Sequence, residues 1–270
     1  MGGSLAGALR GRCRAVTGVA RSAETVATAL ECGLIDRGTT DVAGSVRQAD
    51  IVVLATPVRV ILRQLAEIGP LLPPGCLLMD LGSTKADVTS AMARLPDPVQ
   101  PLGGHPMCGK EVSGIDHADP TLYAGRTFIL TPLERTAAVA LELGCSLVEA
   151  IGSRPLILEP ERQDFLAGTL SHLPYLLACA LVGTADATTS ADPAAWEIVA
   201  SGFRDTSRLA GSDVSMMIDI LLTNREEILQ AISHYQDQLH GLARLVETGD
   251  EDRMRAVFGE FRDKRREMFP

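Results

Sequence analysis

Cys76-Leu77-Leu78-Met79-Asp80-Leu81-Gly82-Ser83-Thr84-Lys85 decides the fold. Residues 76–81 are apolar apart from Asp80 and lack the polar alternation of a half-solvated strand. Such a run is what a parallel strand buried on both faces requires. Upstream, Pro73-Pro74-Gly75 makes a turn, and Ile51-Val52-Val53-Leu54-Ala55 is a second β-branched, apolar run of the same kind. Thr56-Pro57 closes it, and Pro57 suits the first turn of a helix reaching Ile68. Working back to the start, residues 43–48 and 22–32 read as helices and residues 14–19 as a short strand. Working forward, residues 127–131 and 154–158 read as later strands. Strands alternating with helices are the grammar of an open parallel sheet.

After Glu159-Pro160 the texture changes. Ile220, Leu221, Ile228, Leu229, Ile232, Leu239, Leu242 and Leu245 recur at helical spacing over residues 219–246, and strand signals are few. A boundary near residue 155 therefore divides the chain. Residues 1–155 form a Rossmann-type, doubly wound parallel sheet with helices. Residues 156–270 form an all-helical domain, whose apolar surface a second copy of the chain would cover, giving a homodimer.

The chain has 270 residues, with 46% hydrophobic and 22% charged residues and a net charge of -9. That suffices for two modest domains and excludes the basic footprint of a nucleic-acid binder. No two of the six cysteines, Cys13, Cys32, Cys76, Cys108, Cys145 and Cys179, stand at C-x-x-C spacing. No zinc site, redox pair or other metal site is indicated. They read as reduced, mostly buried thiols of a cytoplasmic protein. The longest apolar run, around residues 173–183, contains Pro174 and falls short of the ~20 residues a membrane span needs.

The opening Met1-Gly2-Gly3-Ser4-Leu5-Ala6 reads as the end of a G-x-G-x-x-G turn entering a helix. The strand before that turn, and its first glycine, are then expected upstream of Met1. In the order 3-2-1-4-5-6 that strand is central. Gly2, Gly3, Ser4 and Leu5 become candidate dinucleotide contacts, joined by Thr56, Pro57 and Ser83 at strand ends. The next strand ends Thr17-Gly18-Val19-Ala20-Arg21-Ser22. A carboxylate at this tip would hold the ribose hydroxyls of NAD. Arg21 and Ser22 stand there instead and suit the 2′-phosphate of NADP.

Four segments carry the chemistry. They are Asp80-Leu81-Gly82-Ser83-Thr84-Lys85, Gly103-Gly104-His105-Pro106-Met107-Cys108-Gly109-Lys110-Glu111, Ser171-His172-Leu173-Pro174 and Ser201-Gly202-Phe203-Arg204-Asp205-Thr206-Ser207-Arg208. Singly each has a plain explanation: a surface loop histidine, a solvated Arg204-Asp205 pair, a helix-start His172. Jointly, in this order and spacing, they resemble the prephenate and arogenate dehydrogenases over nearly the whole chain. That resemblance implies a cyclohexadienol substrate, prephenate or arogenate, or a 4-amino analogue. Hydride leaves C4 for the nicotinamide, carbon dioxide leaves C1, and the ring becomes aromatic. Aromatisation drives the reaction, so the protein mainly positions groups.

By the same resemblance, His105 bonds the C4 hydroxyl and takes its proton, as suits an imidazole titrating near neutrality. Ser83 orients that hydroxyl, Arg204 grips a substrate carboxylate, His172 contacts the substrate, and Glu111 lines the site. The chain departs from the family where Met216-Met217 stand in place of a Trp, with Trp196 lying earlier. Two rival readings differ in class. One is a hydroxyacid or imine dehydrogenase, which would lack the His-Pro-Met loop. The other is a non-catalytic dimeric nucleotide-binding module.

Overall fold

The computed structural model describes residues 1–110, 112 and 114–269. Two sheets organise the first half. β1 (Thr17–Val19) and β2 (Arg37–Thr39) form a parallel pair. Around it stand α1 (Gly2–Leu9), α2 (Ala23–Glu31) and α3 (Val42–Val46). A five-stranded sheet follows, made of β3 (Ile51–Leu54), β4 (Leu77–Asp80), β5 (Gln100–Pro106), β6 (Thr127–Pro132) and β7 (Arg154–Ile157) in that spatial order. Its strands run parallel except at β5 and β6, which are antiparallel. The connecting helices are α4 (Val58–Ile68), α5 (Ala86–Met92) and α6 (Ala138–Ala150).

Period-two alternation on β4 builds two cores. Leu78 faces Val58, Ile61, Leu65, Val88 and Met92 on the α4–α5 side. Leu77 and Met79 face Leu5, Leu9, Leu102, Phe128, Leu147 and Val148 on the other. α4 joins the first core because Val58, Ile61, Leu65 and Ile68 recur at helical spacing and are all buried. Side-chain caps set the starts of α2 and α3: Ser22 accepts from the Thr25 amide and Asp41 from the Gly44 amide.

Several expectations from the sequence are corrected. The run at residues 51–55 is not buried on both faces. β3 is an edge of the five-stranded sheet, and Ile51, Val52 and Val53 stay half-buried. The break between the two sheets falls between β1 and β3, where a further strand was expected, and Leu5 and Leu9 of α1 pack beside Ile51, Val53 and Val16 there. β2 went unread because Arg37-Gly38-Thr39 offers no apolar run. His105 lies on a strand rather than in a loop, paired with Ile129 of β6. Glycine permits this: a Cβ on Gly104 would stand 2.5 Å from the Asp80 carbonyl oxygen.

The second half is helical among the described residues, with no strand after β7, which itself straddles residue 155. α7 (Pro160–Ala167) passes through a π-helical turn at Gly168–His172 into α8 (Leu173–Thr189). α9 (Ser201–Ser207), α10 (Val214–Thr223), α11 (Arg225–Thr248) and α12 (Glu251–Met268) follow. The expected continuous helix over residues 219–246 is broken at Asn224. α11 stops at Gly249, whose φ of 64° only glycine adopts readily.

Pro160–Thr189 runs as one helical stretch of 30 residues, long and apolar enough by length and composition to cross a membrane. The sequence reading found no such length because it took Pro174 as a break. Pro174 instead directly follows the π-helical turn at Gly168–His172, and the helix continues past it. Within this stretch Gln163, Asp164 and His172 are buried polar residues. The thiols also differ from expectation: Cys76 alone is buried, Cys13 and Cys32 are exposed, and all six are free.

Candidate active site

The C-terminal end of β4 holds a buried ion pair. Asp80 and Lys85 are both fully buried, and the Lys85 ammonium donates to Asp80 Oδ2. Asp80 also accepts from the Gly82 amide at 2.7 Å and, through Oδ1, from the Gly104 amide at 3.0 Å. A carboxylate with this many donors is held in place. It ties the 80–85 turn to β5 one residue before His105.

His105 is 8% exposed, and its Nδ1 lies 2.7 Å from Gln163 Nε2. The same amide nitrogen donates to the Ser83 carbonyl at 3.2 Å. Gln163, from α7, thus joins the two residues expected at the reacting hydroxyl. The imidazole does not titrate near neutrality, as the sequence reading assumed. Burial foremost, then Lys85 and His172, lower its pKa to about 3. His105 is therefore neutral across ordinary pH and keeps one nitrogen free of Gln163.

His172 is built in the same manner. It is 1% exposed, its Nδ1 lies 3.1 Å from Asn224 Nδ2, and that amide donates to the Asp164 carbonyl at 2.8 Å. Burial lowers the His172 pKa to about 4. Its Nε2 is buried without a hydrogen-bond partner, as a group awaiting a ligand would be. Asp164 accepts from the Lys85 and Ala86 amides, at 2.7 and 2.8 Å. Burial still raises its pKa to about 6, against those bonds. Lys85, Asp80, Gln163, Asp164 and Asn224 were not singled out as site residues from the sequence. Only the Asp80–Lys85 segment carried a signal, because Gln163, Asp164 and Asn224 act through contacts remote in the chain.

The candidate cofactor residues lie along the strand ends. Ala20, Arg21, Ser22 and Thr25 line an open cleft beyond β1. Arg21 is exposed there, and Ser22 caps α2. Thr56 donates to Gln64 Oε1 at 2.7 Å, and Pro57 precedes α4. Gly2 opens α1 against β3: a Cβ on it would stand 2.9 Å from that of Ala55. Gly3 comes close to Ile115 and Ala118 in the same way. Ser4 is buried and accepts from the Asp119 amide, and the Leu5 side chain belongs to the core. A close-packed helix start beside β3 and an exposed arginine in a cleft beyond β1 fit a dinucleotide.

Arg204 lies exposed on α9. Among the described residues no hydrogen bond or ion pair joins it to His105, His172 or Ser83. Trp196 packs edge-on against Phe203, with centroids 6.1 Å apart, over an apolar hollow that Ala185, Thr189 and Ile198 help to line. Of Met216-Met217, Met217 is buried and Met216 is exposed. Glu111 lies outside the described residues. No cluster of metal ligands occurs among the described residues.

Fold and site define a two-domain dehydrogenase, with a dinucleotide-binding α/β sheet facing a helical domain. The family model for the nucleotide-binding domain of prephenate dehydrogenase matches residues 5–157, and that for its dimerization domain matches residues 159–260. The chain belongs to the prephenate dehydrogenase family. It is 32% identical to a prephenate dehydrogenase of Bacillus subtilis, over 98% of this chain and 72% of that one. It is 31% identical to a cyclohexadienyl dehydrogenase of Zymomonas mobilis, over 87% of this chain and 80% of that one. A crystal structure of A. aeolicus prephenate dehydrogenase with hydroxyphenyl propionate and NAD+ superimposes with a TM-score of 0.92 at 32% identity, covering 99% of this chain and 94% of the other. Synechocystis arogenate dehydrogenase gives a TM-score of 0.87 at 28% identity, covering 99% and 96%.

Proposed function

We propose that this chain oxidatively decarboxylates prephenate to 4-hydroxyphenylpyruvate, in tyrosine biosynthesis in the cytoplasm. The observation that carries the reading is the buried His105, bridged by Gln163 to the Ser83 carbonyl at the strand end where the helical domain's His172 also converges. A bound nicotinamide dinucleotide supplies the hydride acceptor. His105 faces the C4 oxygen and holds it by a hydrogen bond from Nε2, since Gln163 donates to Nδ1, and Ser83 orients the hydroxyl. His172 offers its unpartnered Nε2 to a substrate oxygen. Arg204 takes a carboxylate of the substrate. Burial of the imidazoles keeps water from the reacting centre and lowers the pKa of both rings.

Arogenate is the second substrate of this reading, supported by the likeness to the Synechocystis enzyme. For the cofactor we favour NADP over NAD, because Arg21 and Ser22 occupy the tip of β1 with no carboxylate there. Gly2, Gly3, Ser4, Leu5, Thr56 and Pro57 would line its remaining length. The helical domain pairs with a second copy. The test is a spectrophotometric assay at 340 nm with prephenate and arogenate, each with NAD and NADP. Turnover of prephenate, faster with NADP, is expected. Reduction with neither substrate overturns the activity, and a clear preference for NAD overturns the cofactor choice.

A further inference from the structure

Two helices beside the cleft lack caps from their own sequence. α4 follows Pro57 and α5 follows Lys85, and neither side chain caps its helix. First-turn amides without partners are costly when buried. Each helix is met instead by a carboxylate from the helical domain. Asp219 of α10 accepts from the Arg59 amide of α4 at 3.2 Å, and its other oxygen pairs with Arg59 Nε at 2.5 Å. Asp164 of α7 accepts from the Lys85 and Ala86 amides at the start of α5. Thr84 and Thr223 share a hydroxyl–hydroxyl bond of 2.8 Å at the same joint. Asp164 is 3% exposed and Asp219 6%.

The capped turns are not arbitrary places. Thr56-Pro57 lies in the turn after β3 and Ser83-Thr84-Lys85 in the turn after β4, and ligands of open α/β sheets lie outside such strand ends. Carboxylates are also the groups a helix N-terminus favours. We propose that Asp164 and Asp219 are positioning residues, through which the helical domain caps α4 and α5 and fixes the two turns lining the dinucleotide cleft. The inference rests on the dinucleotide site proposed above. It adds that cofactor affinity depends on residues of the other domain that need not touch the cofactor.

Titration calorimetry with NADP and NAD on the full chain, with hydrogen exchange of the α4 first turn, tests this. Asp219→Ala should weaken dinucleotide binding about five- to tenfold and speed exchange of the Arg59 amide. Arg59→Ala removes the ion pair but leaves the backbone cap, and should change affinity less than about twofold. A folded Asp219→Ala protein that binds like the parent overturns the proposal. So does an equal loss in Arg59→Ala, which would assign the effect to the ion pair. Should Asp219→Ala fail to fold, Asp219→Asn keeps an acceptor for the amide and must bind within about twofold of the parent. Asp219→Glu, whose longer side chain misplaces the cap, must bind more weakly; parent-like binding by it counts against the proposal. A parent chain that binds neither dinucleotide defeats the functional reading instead.

Discussion

His105 shows how far burial moves a residue from its nominal chemistry. A histidine chosen for a pKa near 6.5 is held at about 3 because the charged ring would lose its hydration and face Lys85 and His172. Its contribution to catalysis then comes from placement rather than from easy titration. Replacing it, His105→Asn, should cut kcat by about 10²–10⁴-fold with little change in substrate KM. Steady-state kinetics check this, and an intact kcat removes its role. Stability should follow the same shifts. Below pH 6.5 unfolded histidines take up protons while His105 and His172 stay neutral in the fold, down to about 3 and about 4. The unfolded state binds more protons, so stability falls as the pH drops through that window. Asp164 acts in the opposite sense. Its folded pKa of about 6 against 3.8 makes its contribution greatest at low pH and lost as pH rises toward 6. Two histidines outweigh one aspartate, so Tm should decline from pH 6.5 to 4, and less steeply in His105→Asn. A Tm unchanged over that range would sink the account.

At the scale of elements, legibility followed local hydrophobicity. β4, α4 and α11 were readable because their apolar spacing is set by their own residues. β2 was not, since Arg37-Gly38-Thr39 is a strand only through its pairing with β1. β5 looked like a glycine loop, yet Gly103 and Gly104 exist to let a strand pass close to Asp80 and Thr131. Gly104→Ala should therefore destabilise the protein by about 1–3 kcal/mol and disturb the adjacent His105. Thermal unfolding and kcat measured together check this, and a variant like the parent in both would show that β5 can yield.

For the whole molecule, the exposed apolar residues of the helical domain set the expectation. Ile218 and Leu222 on α10, with Leu229 and Leu239 on α11, are 44–55% exposed, in the region matched by a dimerization domain. Such a surface is costly to leave in water. Light scattering should give twice the 28.7 kDa of one chain. Leu222→Glu with Leu229→Glu should shift it toward the monomer by placing charges in the contact. A monomeric parent at micromolar concentration would refute the pairing.

The sequence by itself determined the sheet-then-helices order and the helical face of α11, which spacing and residue type encode. It marked the segments that hold Ser83, His105 and His172, but their roles rest on the family resemblance. Only the tertiary structure decided that Gln163 and Asn224 hold the two histidines, that Asp164 and Asp219 cap helices of the other domain, and that β3 stands half-exposed. Those facts join residues from 52 to 160 positions apart. Desolvation, which sets the state of both imidazoles, depends on what folds around them and has no signature in local sequence.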